Sequence, residues 1–197
     1  MFFVSVKLLY DAKELNIKVY ADALASLNMD GVELMKISDV SSHITLADLL
    51  KLNSLRSIHL ERCNDTLFVE LDDTVVLHSV QNLHIENLAI SGELFSKVLR
   101  CFPALSQITI NECQNLELLL VEDGVLLDLK MLQSFTGSYC GKLFSRWVMG
   151  EEGGRAHAIK PFPNSLRELD IFLDASMQSM GLLSNLTSLT SLKLNGL

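Results

Sequence analysis

Two histidines and two glutamates fall at matching places in this chain. His59 is the middle residue of Ile58-x-Leu60 and His84 the middle residue of Leu83-x-Ile85; Glu61 and Glu86 follow two positions later. Two imidazoles and two carboxylates set in a square could hold a divalent metal ion or relay a proton. The same four could equally make a wetted patch in which each Glu pairs with a His along or across strands. An open surface does not exclude water, and nothing else in the sequence converges on them. The wetted patch is therefore expected, with no metal, no cofactor and no catalytic residue. Other chemistry is equally thin. The chain has no G-x-x-x-x-G-K-[ST] or G-x-G-x-x-G phosphate loop, no G-x-S-x-G elbow and no H-E-x-x-H zinc helix. A non-enzymatic protein follows.

The elements that must place these residues are legible in the apolar spacing. Leu52, Leu55, Ile58, Leu60 and Cys63 write L-x-x-L-x-x-L-x-L-x-x-C. The frame returns at Val80, Leu83, Ile85 and Leu88, and again at Phe102, Leu105, Ile108, Ile110 and Cys113. From Ile58 to Leu83 is 25 residues, and from Leu83 to Ile108 another 25. That period and spacing are the signature of a leucine-rich repeat. Weaker units precede it at Leu9, Ala12, Leu15, Ile17, Tyr20 and at Met29, Val32, Met35, Ile37, Val40. A degenerate unit follows at Leu126, Leu129 and Leu132, with Ser134 and Gly137 where apolar residues should stand. Two more run through Leu166, Leu169, Ile171, Asp174 and Leu186, Leu189, Leu192, Leu194, Leu197. The first inward positions are then 15, 35, 58, 83, 108, 132, 169 and 192.

The two apolar residues of each L-x-L have strand period and share a buried side, while the x between them faces the other way. Parallel pairing requires the rest of each unit to carry the chain back. The expected fold is an α/β leucine-rich-repeat solenoid. A curved parallel sheet would line its concave face, with irregular coil and short helices on the convex side. A single array of about eight repeats spans 1–197. Thr45-Leu-Ala-Asp48 reads as a capping box, and Ser91 as the cap of a helix carrying Leu94, Phe95, Val98 and Leu99. Ser176 to Ser184 is a third helical candidate, and Thr66 to Val76 looks extended. The 37-residue step from 132 to 169 is read as a projecting loop near 137–163. Both ends lack polar caps, so a piece of a longer array is expected.

Along the outward side the x positions are Asn16, Lys36, His59, His84, Thr109, Gln133 or Ser134, Asp170 and Lys193. Arg56, Glu61, Arg62, Glu86, Gln107, Asn111, Glu112, Arg167 and Glu168 flank them. Such a polar face of mixed sign is what a soluble sheet needs, and also what protein-binding solenoids use. The candidate partner-binding set is Arg56, His59, Glu61, Arg62, His84, Glu86, Thr109, Asn111, Asp170 and Lys193. The net charge of −8 gives no electrostatic reason to expect nucleic acid. No apolar run is long enough to span a membrane. The four cysteines, Cys63, Cys101, Cys113 and Cys140, make no C-x-x-C pair. Cys63 and Cys113 stand two repeats apart, about 9–10 Å at sheet spacing and beyond disulfide reach. Reduced thiols, the poor signal character of Met1–Lys7 and the lack of a membrane span suggest a cytoplasmic protein. The slot that in many such repeats holds a bridging Asn holds Tyr20, Val40, Cys63, Leu88, Cys113, Gly137, Asp174 and Leu197. Only Asp174 among them could serve that bond well.

With the repeats in place, the Cys63 and Cys113 slots, the irregular steps and the tract Ser91 to Leu105 resemble one family: the repeat region of plant intracellular nucleotide-binding immune receptors. Asn164-Ser-Leu-Arg-Glu-Leu-Asp-Ile171 and Leu182 to Leu194 resemble its coiled-coil class in grasses. The resemblance implies a recognition module that senses a pathogen effector or a host protein. It further implies that the module restrains the nucleotide-binding domain of a parent receptor, a module these residues do not contain. The substrate-recognition arm of a ubiquitin ligase, or another cytosolic scaffold, is the alternative. Asn64-Asp-Thr66 and Asn185-Leu-Thr187 are glycosylation sequons, but an extracellular ectodomain would also need a signal peptide and cysteine caps.

Overall fold

The computed structural model describes residues 14–18, 31–39, 52–63, 65–68, 71, 75–118, 125–145, 162–177, 183 and 185–196. Eight five-residue strands succeed one another: β1 (Glu14–Lys18), β2 (Leu34–Ser38), β3 (Ser57–Glu61), β4 (Asn82–Glu86), β5 (Gln107–Asn111), β6 (Ser134–Ser138), β7 (Glu168–Phe172) and β8 (Ser191–Asn195). They form one sheet in chain order with every neighbouring pair parallel. One strand per unit, stacked in sequence, is a solenoid-like arrangement.

The register follows the apolar frame. Met35, Ile58, Leu83, Ile108, Phe135, Leu169 and Leu192 are successive partners across the sheet. Ile37, Leu60, Ile85, Ile110, Gly137, Ile171 and Leu194 make the second inward row. From β2 to β7 both rows are buried, and with Leu55, Leu105, Leu132 and Leu166 they form one continuous core. Leu192 is 42% exposed because β8 has a strand on one side only.

Strands β2 to β7 end on one device. Asp39, Arg62, Asn87, Glu112, Tyr139 and Leu173, the residues just past β2 to β7, have φ between 49° and 56°. This left-handed turn swings the amide sideways. The N–H of each donates to the last carbonyl of the next strand: Arg62 to Glu86, Asn87 to Asn111, Glu112 to Ser138, Tyr139 to Phe172, at 2.9–3.0 Å. A matching device opens β3 to β8. The carbonyl of Arg56 accepts from both Gln81 and Asn82, that of Gln81 from Ser106 and Gln107, that of Ser106 from Gln133 and Ser134. Backbone groups that would be orphaned at strand ends are thus spent on fixing the next rung.

The described parts of the return segments are mostly irregular. Helix α1 (Gly92–Arg100) is capped as expected: Ser91 Oγ accepts from Leu94 N at 3.2 Å, and Phe95, Val98 and Leu99 are buried. One turn, α2 (Val125–Asp128), precedes β6. Asp65–Phe68 is a 3-10 helix that buries Leu67 and Phe68, not the extended segment the sequence suggests from Thr66 on. Two apolar neighbours need a tight turn to point the same way, and a 3-10 turn supplies it. The capping box at Thr45 and residues 178–182 of the third helical candidate lie outside the described residues.

The degenerate unit is not degenerate. Phe135 pairs with Ile108 and Gly137 with Ile110, so its frame is Leu129, Leu132, Phe135, Gly137, Cys140. That matches the strong units position for position and replaces the frame begun at Leu126. The x residue is Thr136, not Gln133 or Ser134. Gly137 stands in an inward slot because Leu143 fills it: a Cβ at Gly137 would lie 2.6 Å from Leu143 Cδ1 and 3.4 Å from Ile171 Cδ1. The first part of the expected loop therefore belongs to the array. Cys140, Leu143, Phe144 and, at its far end, Phe162 are core residues. Residues 146–161 lie outside the described residues.

In the bridging slot the thiols do part of the work of an amide. Cys113 Sγ donates to Asn111 O at 3.3 Å and accepts from Leu88 N at 3.5 Å, tying two turns together. Cys63 Sγ instead donates across to Ile37 O in the preceding unit at 3.5 Å. Cys140, not Gly137, fills the slot of its own unit and donates to Ser138 O. Asp174 makes the stronger version: its fully buried carboxylate accepts from Leu143 N and Ser176 N, each at 3.0 Å.

Gly137→Val should lose about 1–3 kcal/mol of stability by overpacking against Leu143. Adding Leu143→Ala should return part of that loss. Urea unfolding of the two variants checks this; equal midpoints for Gly137→Val and the parent chain would refute the packing described.

Candidate functional site

The register that stacks the core also stacks the outward residues. Lys36, His59, His84, Thr109, Thr136, Asp170 and Lys193 are successive cross-strand partners in one row from β2 to β8. Beside it run Glu61, Glu86, Asn111 and Ser138. Eight of the ten candidate residues therefore share this face: His59, Glu61, His84, Glu86, Thr109, Asn111, Asp170 and Lys193. Arg56 and Arg62 sit at its two edges, immediately before and after β3. Asn16 pairs with Lys36 across β1 and β2.

The four residues of the expected square divide into two groups. His59 and His84 face each other with ring centroids 4.0 Å apart and planes tilted by 51°. Glu86 reaches both: its Oε2 is 3.4 Å from His59 Nε2 and 3.6 Å from His84 Nε2. Glu61 turns the other way. Its Oε2 is 2.7 Å from Lys36 Nζ, and its Oε1 meets the Arg62 guanidinium. Arg62 in turn grips Asp39 with two hydrogen bonds, Nε to Oδ1 at 2.6 Å and Nη2 to Oδ2 at 3.0 Å. The result is a chain of alternating charge, Lys36–Glu61–Arg62–Asp39, at the strand exits. Farther along, Lys193 Nζ lies 3.6 Å from Asp170 Oδ2.

The histidine pair is drier than an open sheet leads one to expect. The Nε2 atoms of both rings have essentially no contact with solvent and no hydrogen-bond partner among the described residues. Burial is the largest cause that lowers both imidazoles below the usual histidine value of 6.5. For His59, the neighbouring His84 and Lys36 add to it, and Glu86 opposes. Glu61 is held below its usual 4.5 chiefly by the hydrogen bond from Lys36. The core thiols are the reverse case: burial raises Cys113 and pushes Cys140 up to about 12, so neither is a nucleophile at neutral pH.

Lys36, Asp39 and Thr136 belong to the site and were not among its sequence candidates. Lys36 stands in the same frame position as His59, which is a readable signal. Thr136 was hidden by the shifted frame. Asp39 lies just past β2, where apolar spacing carries no information.

Because the folded chain holds His59 and His84 below 6.5, the unfolded chain takes up those protons first as the pH falls. The stability from the neutral pair is complete above about 6.5 and is lost as the pH drops through the folded values. Glu61 acts with the same sign lower down: its contribution is present above about 4.5 and is lost on further acidification. The melting temperature should hold from about pH 8 to 7 and fall as the pH drops below about 6.5. His59→Gln combined with His84→Gln should flatten that fall. A melting temperature equally flat in the parent chain would contradict the burial of the pair.

Among known proteins, no family model matches the chain and no curated protein matches it significantly.

Proposed function

We propose that the chain is a leucine-rich-repeat recognition module of a plant intracellular immune receptor of the nucleotide-binding class, and that its polar sheet face docks a protein. The observation that carries this reading is the outward row itself. Lys36, His59, His84, Thr109, Thr136, Asp170 and Lys193 are held in one line by backbone register, with charge and hydrogen-bonding groups at known intervals.

Size favours a protein over a small molecule. Seven spacings between eight strands make a face about 34 Å long, and five-residue strands make it about 16 Å wide. With side-chain relief this approaches the roughly 800 Å² that each partner gives to a specific protein interface. It is also open, so it lacks the water-excluding walls that bond-making chemistry favours. The Cys63, Cys113 and Cys140 slots and the tract from Ser91 to Leu105 support the family resemblance. In that family such an array meets an effector or a host protein and restrains a nucleotide-binding switch, which would place this chain in the cytoplasm as a non-enzymatic sensor. No helix among the described residues is long and apolar enough to cross a membrane.

The test is affinity capture from infected and healthy grass leaf extract on immobilised chain, with the bound proteins quantified. Thr109→Arg with Asp170→Lys reverses the character of the face without touching the core. The reading expects a protein retained by the parent chain and reduced at least tenfold by this variant. A change at Glu93, on α1, should leave it bound. Equal retention by the face variant would defeat the proposal.

A further inference from the structure

Three donor atoms meet where His59, His84 and Glu86 come together. One ring nitrogen of His59, one of His84 and a Glu86 carboxylate oxygen all lie within 4.8 Å of one another. The two Nε2 atoms are shielded from solvent, and Glu86, at 3.4 and 3.6 Å, meets neither in hydrogen-bond geometry. A buried polar atom without a partner costs about 1–3 kcal/mol, and native structures hold few of them. Two such atoms aimed at one carboxylate, on adjacent strands of the same sheet, share one simple explanation. We propose that His59, His84 and Glu86 form a binding site for a divalent transition-metal ion of the zinc type.

The two Glu86–histidine spacings fit that ion. Zinc takes nitrogen and oxygen ligands at about 2.0–2.1 Å, which in a tetrahedron places ligand atoms about 3.4 Å apart. Glu86 Oε2 is 3.4 Å from His59 Nε2 and 3.6 Å from His84 Nε2. An octahedral site with bonds of the same length would need about 3.0 Å. The donor set fits as well. Imidazole suits zinc, nickel and copper, whereas magnesium and calcium take oxygen cages. Three protein ligands leave a fourth position for water or for a donor from a bound partner.

The surroundings define the site's limits. Glu61 is not a fourth ligand, because Lys36 and Arg62 already hold its two oxygens. Lys36, the nearest cation, is drawn to Glu61 and so is partly neutralised. The ligands also stand on two paired strands of the sheet. His59 and His84 are direct partners on β3 and β4, and Glu86 is two residues beyond His84 on the same strand. Little side-chain movement separates the metal-free arrangement from a coordinating one, so the ordering cost of binding is small.

The test uses the full chain stripped with a chelator and then titrated with Zn2+ by calorimetry. One ion per chain should bind in the micromolar range or tighter. His59→Asn and His84→Asn should each weaken binding at least tenfold, and Glu86→Gln severalfold. His78→Asn, at an exposed turn before β4, should change nothing. Co2+ supplies a second readout: the strong visible absorption of four-coordinate cobalt should appear with the parent chain and vanish with Glu86→Gln. This arm decides the matter even if a histidine variant fails to fold. Failure of the stripped chain to bind Zn2+ at millimolar concentration would overturn the site. So would binding that survives both histidine substitutions, or that falls equally with His78→Asn. Neither result bears on protein docking, which is read with variants at Thr109 and Asp170.

Discussion

Strands β2 to β7 are each left through a left-handed residue whose amide is given to the last carbonyl of the following strand. The rest of the molecule depends on that bond. A parallel sheet has no hairpins to set its register, and a slip of one residue would turn every inward side chain outward. The exit bond, with the shared carbonyl at the strand entrance, removes that freedom at both ends. It does so with residues such as Arg62, Glu112, Tyr139 and Leu173, which have no intrinsic liking for positive φ. A strained backbone position costs on the order of 1–3 kcal/mol. It persists here because six consecutive exits repeat one hydrogen bond and stack on one core.

The chemistry of the outer face is a consequence of the same alignment. The register that puts Ile58 against Leu83 also puts His59 against His84. Two rings on adjacent rungs shield each other, and Glu86 closes over the nitrogens that face it. The sheet face thus makes a dry spot across β3 and β4 from its own side chains. Around it the charges resolve into pairs, Glu61 toward Lys36 and Arg62, Lys193 toward Asp170. The face is polar and ordered before any partner arrives, which lowers the entropic cost of binding.

The strands were legible in the sequence because strand period and repeat period reinforce each other wherever Leu, Ile or Val fills the inward slots. They ceased to be legible at β6, where Phe135 and Gly137 divide the volume unevenly and Leu143 reaches back to fill the gap. A spacing argument sees Gly137 as a break; only packing shows that its missing side chain is supplied from elsewhere. The helix after Ser91 was readable because capping is local. The 3-10 turn at Asp65 was not, since nothing in Leu67-Phe68 distinguishes it from a strand end. At the site, the adjacency of His59 and His84 followed from the frame. The partition of the two glutamates did not, because it depends on Lys36 and on Asp39 in the turn after β2. Nor did the enclosure of the nitrogens, which is a property of rotamers rather than of register.

The most direct test of this account is amide hydrogen exchange at the strand exits, read by NMR residue by residue. Arg62, Asn87, Glu112 and Tyr139 lie just past strand ends, where amides ordinarily exchange fast. If each is bonded to the next strand, all four should exchange as slowly as Leu60 and Ile85 in the strands themselves. Exchange at the rate of an unstructured peptide at these four positions, with the strands still protected, would contradict the account.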